Sequence, residues 1–271
     1  MAQPRLRERP APGAPAPAKK RPWWLISLGA AAVLLLAIAT LPASLFASQL
    51  SRAGLDAAGL WGSVWNGRAQ GLTWQSAPLG DLQWSVSPWQ LLLGRAAGEV
   101  SLGRPDGSLR ATYRLALDRT LRLEDVQADL PIELLSSLPI GMPRNWRGRL
   151  SGRFDEITLT KGWPTTLRGT LDMDGLIAPP PRSTSIGSYH VMIPDPAAGE
   201  VAQDSLTARV TDKEGPFSFE GRFTLGADRS FLLEGTLAPR GTTPPALLRS
   251  LDLLGPADAN GRRPVSVSGT L

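Results

Sequence analysis

A long stretch without a charged residue, from position 23 to position 51, constrains this chain more than any other feature. Residues 25–41 at its core are mostly Leu, Ala, Val and Ile. A helix of about 20 such residues crosses the hydrocarbon layer of a bilayer, which is about 30 Å thick. The sequence therefore predicts a transmembrane helix over residues 23–47 that contacts the lipid bilayer.

The residues at the start of this stretch predict its orientation. Lys19, Lys20 and Arg21 come directly before it, and Trp23 and Trp24 stand where an aromatic belt meets the membrane interface. Because basic residues flank the cytoplasmic end of a membrane helix, we expect the N-terminus in the cytoplasm and the C-terminal domain in the periplasm. The predicted location is the cell inner membrane, crossed once.

A cleaved signal peptide is the alternative interpretation of the same stretch. Residues 37–39, Ala-Ile-Ala, have the small-x-small form of a cleavage site, but they lie inside the apolar run. The run is also longer than the roughly 7–15 apolar residues of a signal peptide. These two observations favour a retained anchor.

The charge distribution sets the N-terminal tail apart. The chain has 29 Lys and Arg against 24 Asp and Glu, and residues 1–22 hold six of the bases and one of the acids. The remainder is therefore neutral, whereas a nucleic-acid-binding domain needs a basic surface of its own, so no nucleic acid is expected as a partner. Many prolines and no core predict a disordered cytoplasmic tail that acts as a topology signal, or is weakly attracted to anionic lipid or a cytoplasmic partner.

Residues 48–271 form the predicted periplasmic domain, and residues 60–271 within it show the period-two alternation of half-buried strands. Apolar and polar residues alternate over residues 108–117 and again over residues 217–225, and turn residues such as those at 105–107 separate the strands. Strands with one apolar and one polar face are typical of antiparallel sheets that are wet on one side. We predict a mainly β fold, in which the transmembrane helix is followed by a curved antiparallel β-sheet domain with a few short helices.

The curvature and the helices are predicted from two further patterns. Glycine repeatedly precedes a polar residue and then Leu or Phe, as at residues 221–223 and 235–237, and glycine within strands lets a sheet bend. Three Leu-rich segments bounded by Pro or Gly predict short helices over residues 88–93, 132–138 and 245–254.

Two neighbouring segments, residues 62–69 and 79–94, share a tryptophan pattern. The first reads GSVWNGRA and the second LGDLQWSVSPWQLLLG. For the tryptophans of this region, packing in the core and at sheet edges is the favoured interpretation, and a partner-binding patch is the alternative, because Trp is enriched in binding hot spots. The defining positions are candidates for a partner-binding or structural motif: Gly62, Val64, Trp65, Gly67, Leu79, Gly80, Trp84, Pro88, Leu91, Leu92 and Gly94.

This pattern resembles the type II secretion system protein N family, also called general secretion pathway protein N. The resemblance covers the N-terminal anchor, residues 60–94 most clearly, and the later Gly-polar-Leu strands loosely, but not residues 175–205. It implies a bitopic inner-membrane accessory that supports export of folded proteins across the outer membrane through protein–protein contacts. Other inner-membrane and periplasmic subunits of the machine are the implied partners, and no catalytic residue or cofactor is implied.

A broader likeness supplies the alternative. One N-terminal anchor followed by curved, glycine-punctuated strands resembles the AsmA-like envelope proteins, which implies a lipid ligand bound or transferred in a curved apolar β-groove. The chain is short for a groove that spans the periplasm, at about 3.3 Å per strand residue.

The residues favour a protein without catalytic, cofactor or metal sites. The sequence has no Cys, which excludes disulfides, thiolate nucleophiles and Cys metal sites. His190, the single histidine, has no catalytic motif around it, so a surface or edge position is expected. Asp172 and Asp174 share one strand face and are suited to a hard cation or to acid–base work, but Leu171 and Met173, which alternate with them, indicate that this face is the wet one. A solvated sheet surface is the expected role of both acids.

Overall fold

The computed structural model describes residues 29, 37, 40–52, 54–75, 77–137, 145–180, 183–194, 205–241, 243–251 and 255–270. Met1–Thr40 and Leu41–Leu271 form two separate compact units. In the first unit only three residues are described, and Gly29 and Ala37 among them have helical backbone. The predicted tail and most of the predicted membrane span lie outside the described residues. Among those that are described, no helix is both long and apolar enough to cross a bilayer.

The second unit consists of strands connected by turns and a few short helices. The strands are β1 (Leu55–Asp56), β2 (Gly59–Gly62), β3 (Asn66–Trp74), β4 (Ala77–Val86), β5 (Arg95–Arg104), β6 (Gly107–Ala116), β7 (Thr120–Pro131), β8 (Arg147–Thr160), β9 (Trp163–Ile177), β10 (Ser185–Ile193), β11 (Leu206–Glu214), β12 (Phe217–Leu225), β13 (Ser230–Pro239) and β14 (Arg263–Thr270). The helices are a 3₁₀ turn (Ala43–Phe46), α1 (Ala47–Arg52), α2 (Pro88–Leu92), α3 (Ile132–Ser137) and α4 (Pro245–Leu251).

All of these strands belong to one antiparallel sheet. From β3 to β14 each strand pairs with the next along the chain, and β1 and β2 both pair with β3. Many of the connections are tight turns, which can join antiparallel neighbours, whereas longer connections precede β8, β11 and β14. The prediction of a mainly β, antiparallel fold with a few short helices is confirmed, and the three predicted helices begin at the predicted residues, Pro88, Ile132 and Pro245.

The two faces of the sheet differ in polarity. Leu102 pairs with Leu109, and Leu109 pairs with Ala128, so apolar residues of neighbouring strands are in register. The residues next to them form a polar row on the opposite face, where Arg110 pairs with Gln127. Register of this kind is fixed by alternation, since a slip of one residue would exchange the two faces. The predicted division into one apolar and one polar face is therefore observed.

The apolar face is half-buried rather than sealed. No large side chain in the described part of the chain is fully buried, and the most buried positions of the central strands are small, such as Ala69 and Ala111. A single sheet without a second layer has no place to enclose large side chains completely. The domain consequently presents apolar surface at its face and at its ends.

The two edges of the sheet are different. Pro42 forms a bridge with Ser63, and Ala43 is buried, so the start of the second unit lies against the β2 edge. Residues 41–47, the last part of the predicted membrane span, thus belong to the sheet unit in the structure. At the other edge β14 pairs only with β13 among the described strands.

Candidate functional site

The centre of the tryptophan motif is a contact between Gly67 and Trp84, which are directly paired on β3 and β4. A β-carbon placed on Gly67 would lie 2.3 Å from Cζ2 of Trp84, so the indole ring lies directly over the glycine. The Trp84 Nε1–H donates to the carbonyl oxygen of Val64 at 3.0 Å. Trp65 completes the contact, because its carbonyl accepts the backbone N–H of Val86 at 2.6 Å.

Gly62 and Val64 form the turn that connects β2 to β3. Gly62 has φ +88°, and a β-carbon there would lie 2.4 Å from the Asn66 carbonyl oxygen, so only glycine fits. Ser63 closes the turn through its backbone N–H, which donates to the Asn66 carbonyl at 2.9 Å. The Val64 N–H donates to the Leu41 carbonyl at 3.0 Å, which fastens the first residue of the sheet unit to this turn.

Leu79 and Gly80 lie at the irregular part of the β3–β4 pair. Gly80 has φ +108°, and a β-carbon there would lie 2.5 Å from the Gly103 carbonyl oxygen on β5. The register shifts on both sides of Leu72, which pairs with Gly80, and the Gly71 N–H donates to Oδ1 of Asp81 at 2.9 Å. Leu79 is half-buried beside this bulge, where the extra residue bends the strand. These two motif residues therefore shape the sheet.

The last part of the motif forms α2 and its exit. Pro88 occupies the first turn of α2, where proline costs no hydrogen bond. Gly94 has φ +70° and donates its N–H to the Leu91 carbonyl at 3.0 Å, which ends the helix before β5. Leu91 is exposed, and the Leu92 backbone forms the end of α2. Trp89, on the same helix, is the most exposed tryptophan of the motif.

The tryptophans of this region differ in their exposure. Trp65, Trp74 and Trp84 are half-buried and belong to the sheet, whereas Trp89 is exposed on α2. The sequence analysis did not single out Leu93 and Leu117, which are also exposed and lie near it. The only sequence signal for these two residues was a leucine beside a turn.

Tyr113 joins the motif from β6. Its hydroxyl donates to the Ser85 carbonyl at 3.2 Å and lies over Gly98, where a β-carbon would be 3.0 Å from the hydroxyl oxygen and 1.8 Å from the Ser85 carbonyl oxygen. Burial raises the pKa of Tyr113, so the phenol stays protonated and donates. This is a second place in the motif where an aromatic side chain packs over glycine.

The acidic pair on β9 is part of a charged cluster on the polar face. Oδ1 of Asp172 lies 2.9 Å from Nδ1 of His190 and 3.2 Å from Nζ of Lys213, and Lys213 also contacts Asp174 at 3.1 Å. Partial burial alone would raise the pKa of Asp172, but the hydrogen bonds from His190 and Lys213 outweigh burial and lower it. His190 lies on β10 in the interior of the sheet, so the surface position is observed and the edge position is not.

Lys213 occupies the place that a cation would take in this cluster. It bridges the carboxylates of Asp172 and Asp174, and the described residues contain no group of three or more His, Asp or Glu side chains arranged to hold a metal ion. Elsewhere on the polar face Arg149 pairs with Asp129 at 2.6 Å. Ion pairs between strands are thus a feature of this face.

Each face of the sheet carries a cavity. On the polar face a cavity of about 700 Å³ extends over β4 to β9, with Arg110, Asp129 and Arg153 among its lining residues. On the apolar face a cavity of about 350 Å³ extends over β9 to β13, and its lining residues include Met173, Val191 and Ala208. Five neighbouring strands, β9 to β13, line the apolar cavity.

Comparison with known proteins connects the motif to a family. The family described as Type II secretion system (T2SS), protein N, matches residues 53–266. Type II secretion system protein N of Aeromonas hydrophila is 27% identical over 218 residues, covering 79% of this chain and 83% of the relative. Type II secretion system protein N of Vibrio cholerae serotype O1 is 24% identical over 223 residues, covering 80% of this chain and 86% of the relative. No solved structure matches this one. The chain therefore belongs to the type II secretion system protein N family.

Proposed function

We propose that the chain is a bitopic inner-membrane accessory of the type II secretion system. In this proposal residues 1–22 are cytoplasmic, the part of the predicted 23–47 span that comes before Leu41 anchors the protein in the bilayer, and the sheet unit that begins at Leu41 is the periplasmic domain. The family match over residues 53–266 carries the proposal, and the charge-free stretch that comes before it supports the anchor. The domain supports export by contacting other subunits of the machine.

The β14 edge is the surface that best suits such a contact. It is the last strand of the sheet, and Val267 on it is exposed. An edge strand presents backbone N–H and C=O groups that can pair with a strand of another protein. The β2 edge is less suited, because Pro42 and Ala43 lie against it.

Two measurements on cells that express the full chain test this proposal. Because the chain has no Cys, a single cysteine at Ala11 or Ser108 can be labelled selectively with a maleimide that does not cross the inner membrane. We expect labelling at position 108 and protection at position 11 in cells whose outer membrane has been permeabilised. Affinity purification from detergent-solubilised membranes should recover other secretion subunits, and recovery of none, with secretion intact in a deletion strain, would contradict the proposal.

A second candidate function is the binding of an apolar ligand such as a lipid chain. The apolar cavity of about 350 Å³ favours it, because ligand sites are concave, mostly apolar and about 300–1,000 Å³ in volume. Mass spectrometry of the purified full chain tests it. A lipid that remains bound through purification is the expected result, and a lipid-free protein that takes up none from vesicles would exclude this function.

A further inference from the structure

Five exposed apolar side chains gather at one end of the sheet, around α2 and the β6–β7 turn. Trp89 is 76% exposed, Leu93 is 70% exposed and Leu117 is 86% exposed, with Leu91 and Leu115 beside them. Leu117 lies next to the end of α2, because a β-carbon on Gly94, which follows the helix, would lie 3.2 Å from Cδ1 of Leu117. We call these five side chains the Trp89 patch. Exposed apolar residues on this scale, grouped together, mark a contact surface.

The Trp89 patch lies at the end of the sheet where the chain enters the domain. The Leu41 carbonyl accepts the Val64 N–H, and the neighbouring Trp65 carbonyl accepts the Val86 N–H. Trp89 follows Val86 by three residues, so two hydrogen bonds and a short length of chain connect the first residue of the domain to the patch. Directly before Leu41 in the sequence is the part of the charge-free stretch that we propose to be the anchor.

Basic side chains lie at the same end of the sheet as the patch. Arg95 begins β5, Arg119 lies in the β6–β7 turn, Lys161 in the β8–β9 turn and Arg229 in the β12–β13 turn, and all four are exposed. Consecutive strands from β5 to β13 are antiparallel neighbours, so every second turn lies at the same end of the sheet. The start of β5 and the β6–β7, β8–β9 and β12–β13 turns therefore share one end. The exposed acids of these turns are Asp118 and Asp228. The described turns at this end thus carry an excess of positive charge.

We infer that the Trp89 patch inserts into the headgroup region of the periplasmic leaflet, so that the sheet stands on the membrane. The inference rests on the anchor in the proposed function, because the anchor brings this end of the domain to the bilayer. Exposed Trp and Leu side chains that share one end of a domain with Arg and Lys are suited to a membrane interface, where aromatic rings lie at headgroup level and basic side chains attract anionic lipid.

The depth of spin labels on the full chain tests this inference. Single cysteines replace Trp89, Leu93 or Leu117, and the chain is reconstituted in vesicles of phosphatidylethanolamine and phosphatidylglycerol. Ser108→Cys is the matched control, because it is exposed at the other end of β6 from Leu117, about 30 Å away. Leu35→Cys, within the apolar run, reports on the anchor separately. The depth of each label is determined from the rates at which it collides with oxygen and with a water-soluble nickel chelate.

The labels at positions 89, 93 and 117 should show a several-fold loss of nickel collisions relative to position 108, with oxygen collisions increased. Nickel collisions equal to those at position 108, with the label at position 35 in the bilayer, would overturn the inference and leave the anchor intact. Loss of both kinds of collision would indicate burial against protein and would also overturn it. A label at position 35 that is exposed to water would refute the anchor itself.

Discussion

The Nε1–H of Trp84 donates to the carbonyl oxygen of Val64 at 3.0 Å, and this bond connects β4 to the turn that begins β3. The Val64 N–H in turn donates to the Leu41 carbonyl, so the same indole secures the residue at which the chain joins the sheet. Gly67 leaves the space that the ring fills. The tryptophan motif thus joins the start of the domain to its first strands.

Replacing Trp84 by Phe should measure how much the hydrogen bond from Trp84 to Val64 contributes to the free energy of unfolding. The variant keeps an aromatic ring but loses the donor to Val64 and part of the packed volume, so we expect the free energy of unfolding to fall by about 1–3 kcal/mol. Urea denaturation of the detergent-solubilised full chain, followed by circular dichroism, is the measurement. Trp89→Phe is the control, with an expected change within about 0.5 kcal/mol, and equal losses in the two variants would show that the bond has no special role.

Replacing Gly67 by Ala should displace the indole. The new β-carbon would lie 2.3 Å from Cζ2 of Trp84, and relieving this overlap is expected to lower the free energy of unfolding by about 1–3 kcal/mol. Gly103→Ala on β5 is the control, since its β-carbon meets nothing closer than 3.9 Å. The same urea titration compares them, and an unchanged midpoint for the Gly67 variant would refute the described packing.

The Asp172 cluster predicts how stability depends on pH. The folded-state pKa of Asp172 is lowered from an unfolded value of about 3.9, so its contribution is complete above that pH and is lost as the pH falls through the folded-state pKa. Asp172→Asn should cost about 0.2–1 kcal/mol at pH 7, because the group is partly exposed, and the difference from wild type should shrink below about pH 4.

Urea midpoints at neutral and acidic pH check this prediction. Asp155→Asn is the control, because Asp155 is an exposed acid on the neighbouring strand β8, and its effect should be near zero at both pH values. A loss in the Asp172 variant that stays constant from pH 7 to strong acid would show that Asp172 does not contribute through its charge.

Filling the apolar cavity should block a bound lipid. Ala208 is buried at the cavity wall, and Ala208→Phe places a ring in the space between the strands. We expect the lipid detected by mass spectrometry to fall several-fold, while Ser218→Phe, at an exposed position of β12, leaves it unchanged. Circular dichroism confirms that both variants are folded, and equal lipid content in the two would argue against this cavity as the site.

The sequence predicted the class of fold because period-two alternation is a local property. Strands β6 and β12 were recognised from alternation alone, and the short helices from leucines bounded by Pro or Gly. The full length of the long strands β8 and β9 was not recognised from alternation, because register shifts interrupt the alternation. The β8–β9 pairing skips Asp155, and the β6–β7 pairing likewise skips a residue beside Asp125; past each point the apolar residues occupy the other set of alternate positions.

The motif was recognised from the sequence, but which of its tryptophans pack in the sheet and which are exposed was not predictable. Trp84 is half-buried because it lies over Gly67 in the β3–β4 pair, whereas Trp89 is exposed because it lies on α2, outside the sheet. The Gly67–Trp84 pairing and the contact between His190 and Asp172 arise from strand register, which separates the partners in sequence by many residues. The apolar cavity is likewise lined by residues that lie far apart in the sequence, on five strands.

Photo-crosslinking in living cells tests the central proposal, a type II secretion component that acts through protein contacts, most directly. A photoreactive amino acid replaces exposed Val267 on the β14 edge of the full chain, and Ser108 serves as the comparison position. We predict that illumination links position 267, more than position 108, to another subunit of the secretion machine. Absence of any secretion subunit among the products from either position, with export unchanged when the protein is deleted, would contradict the account.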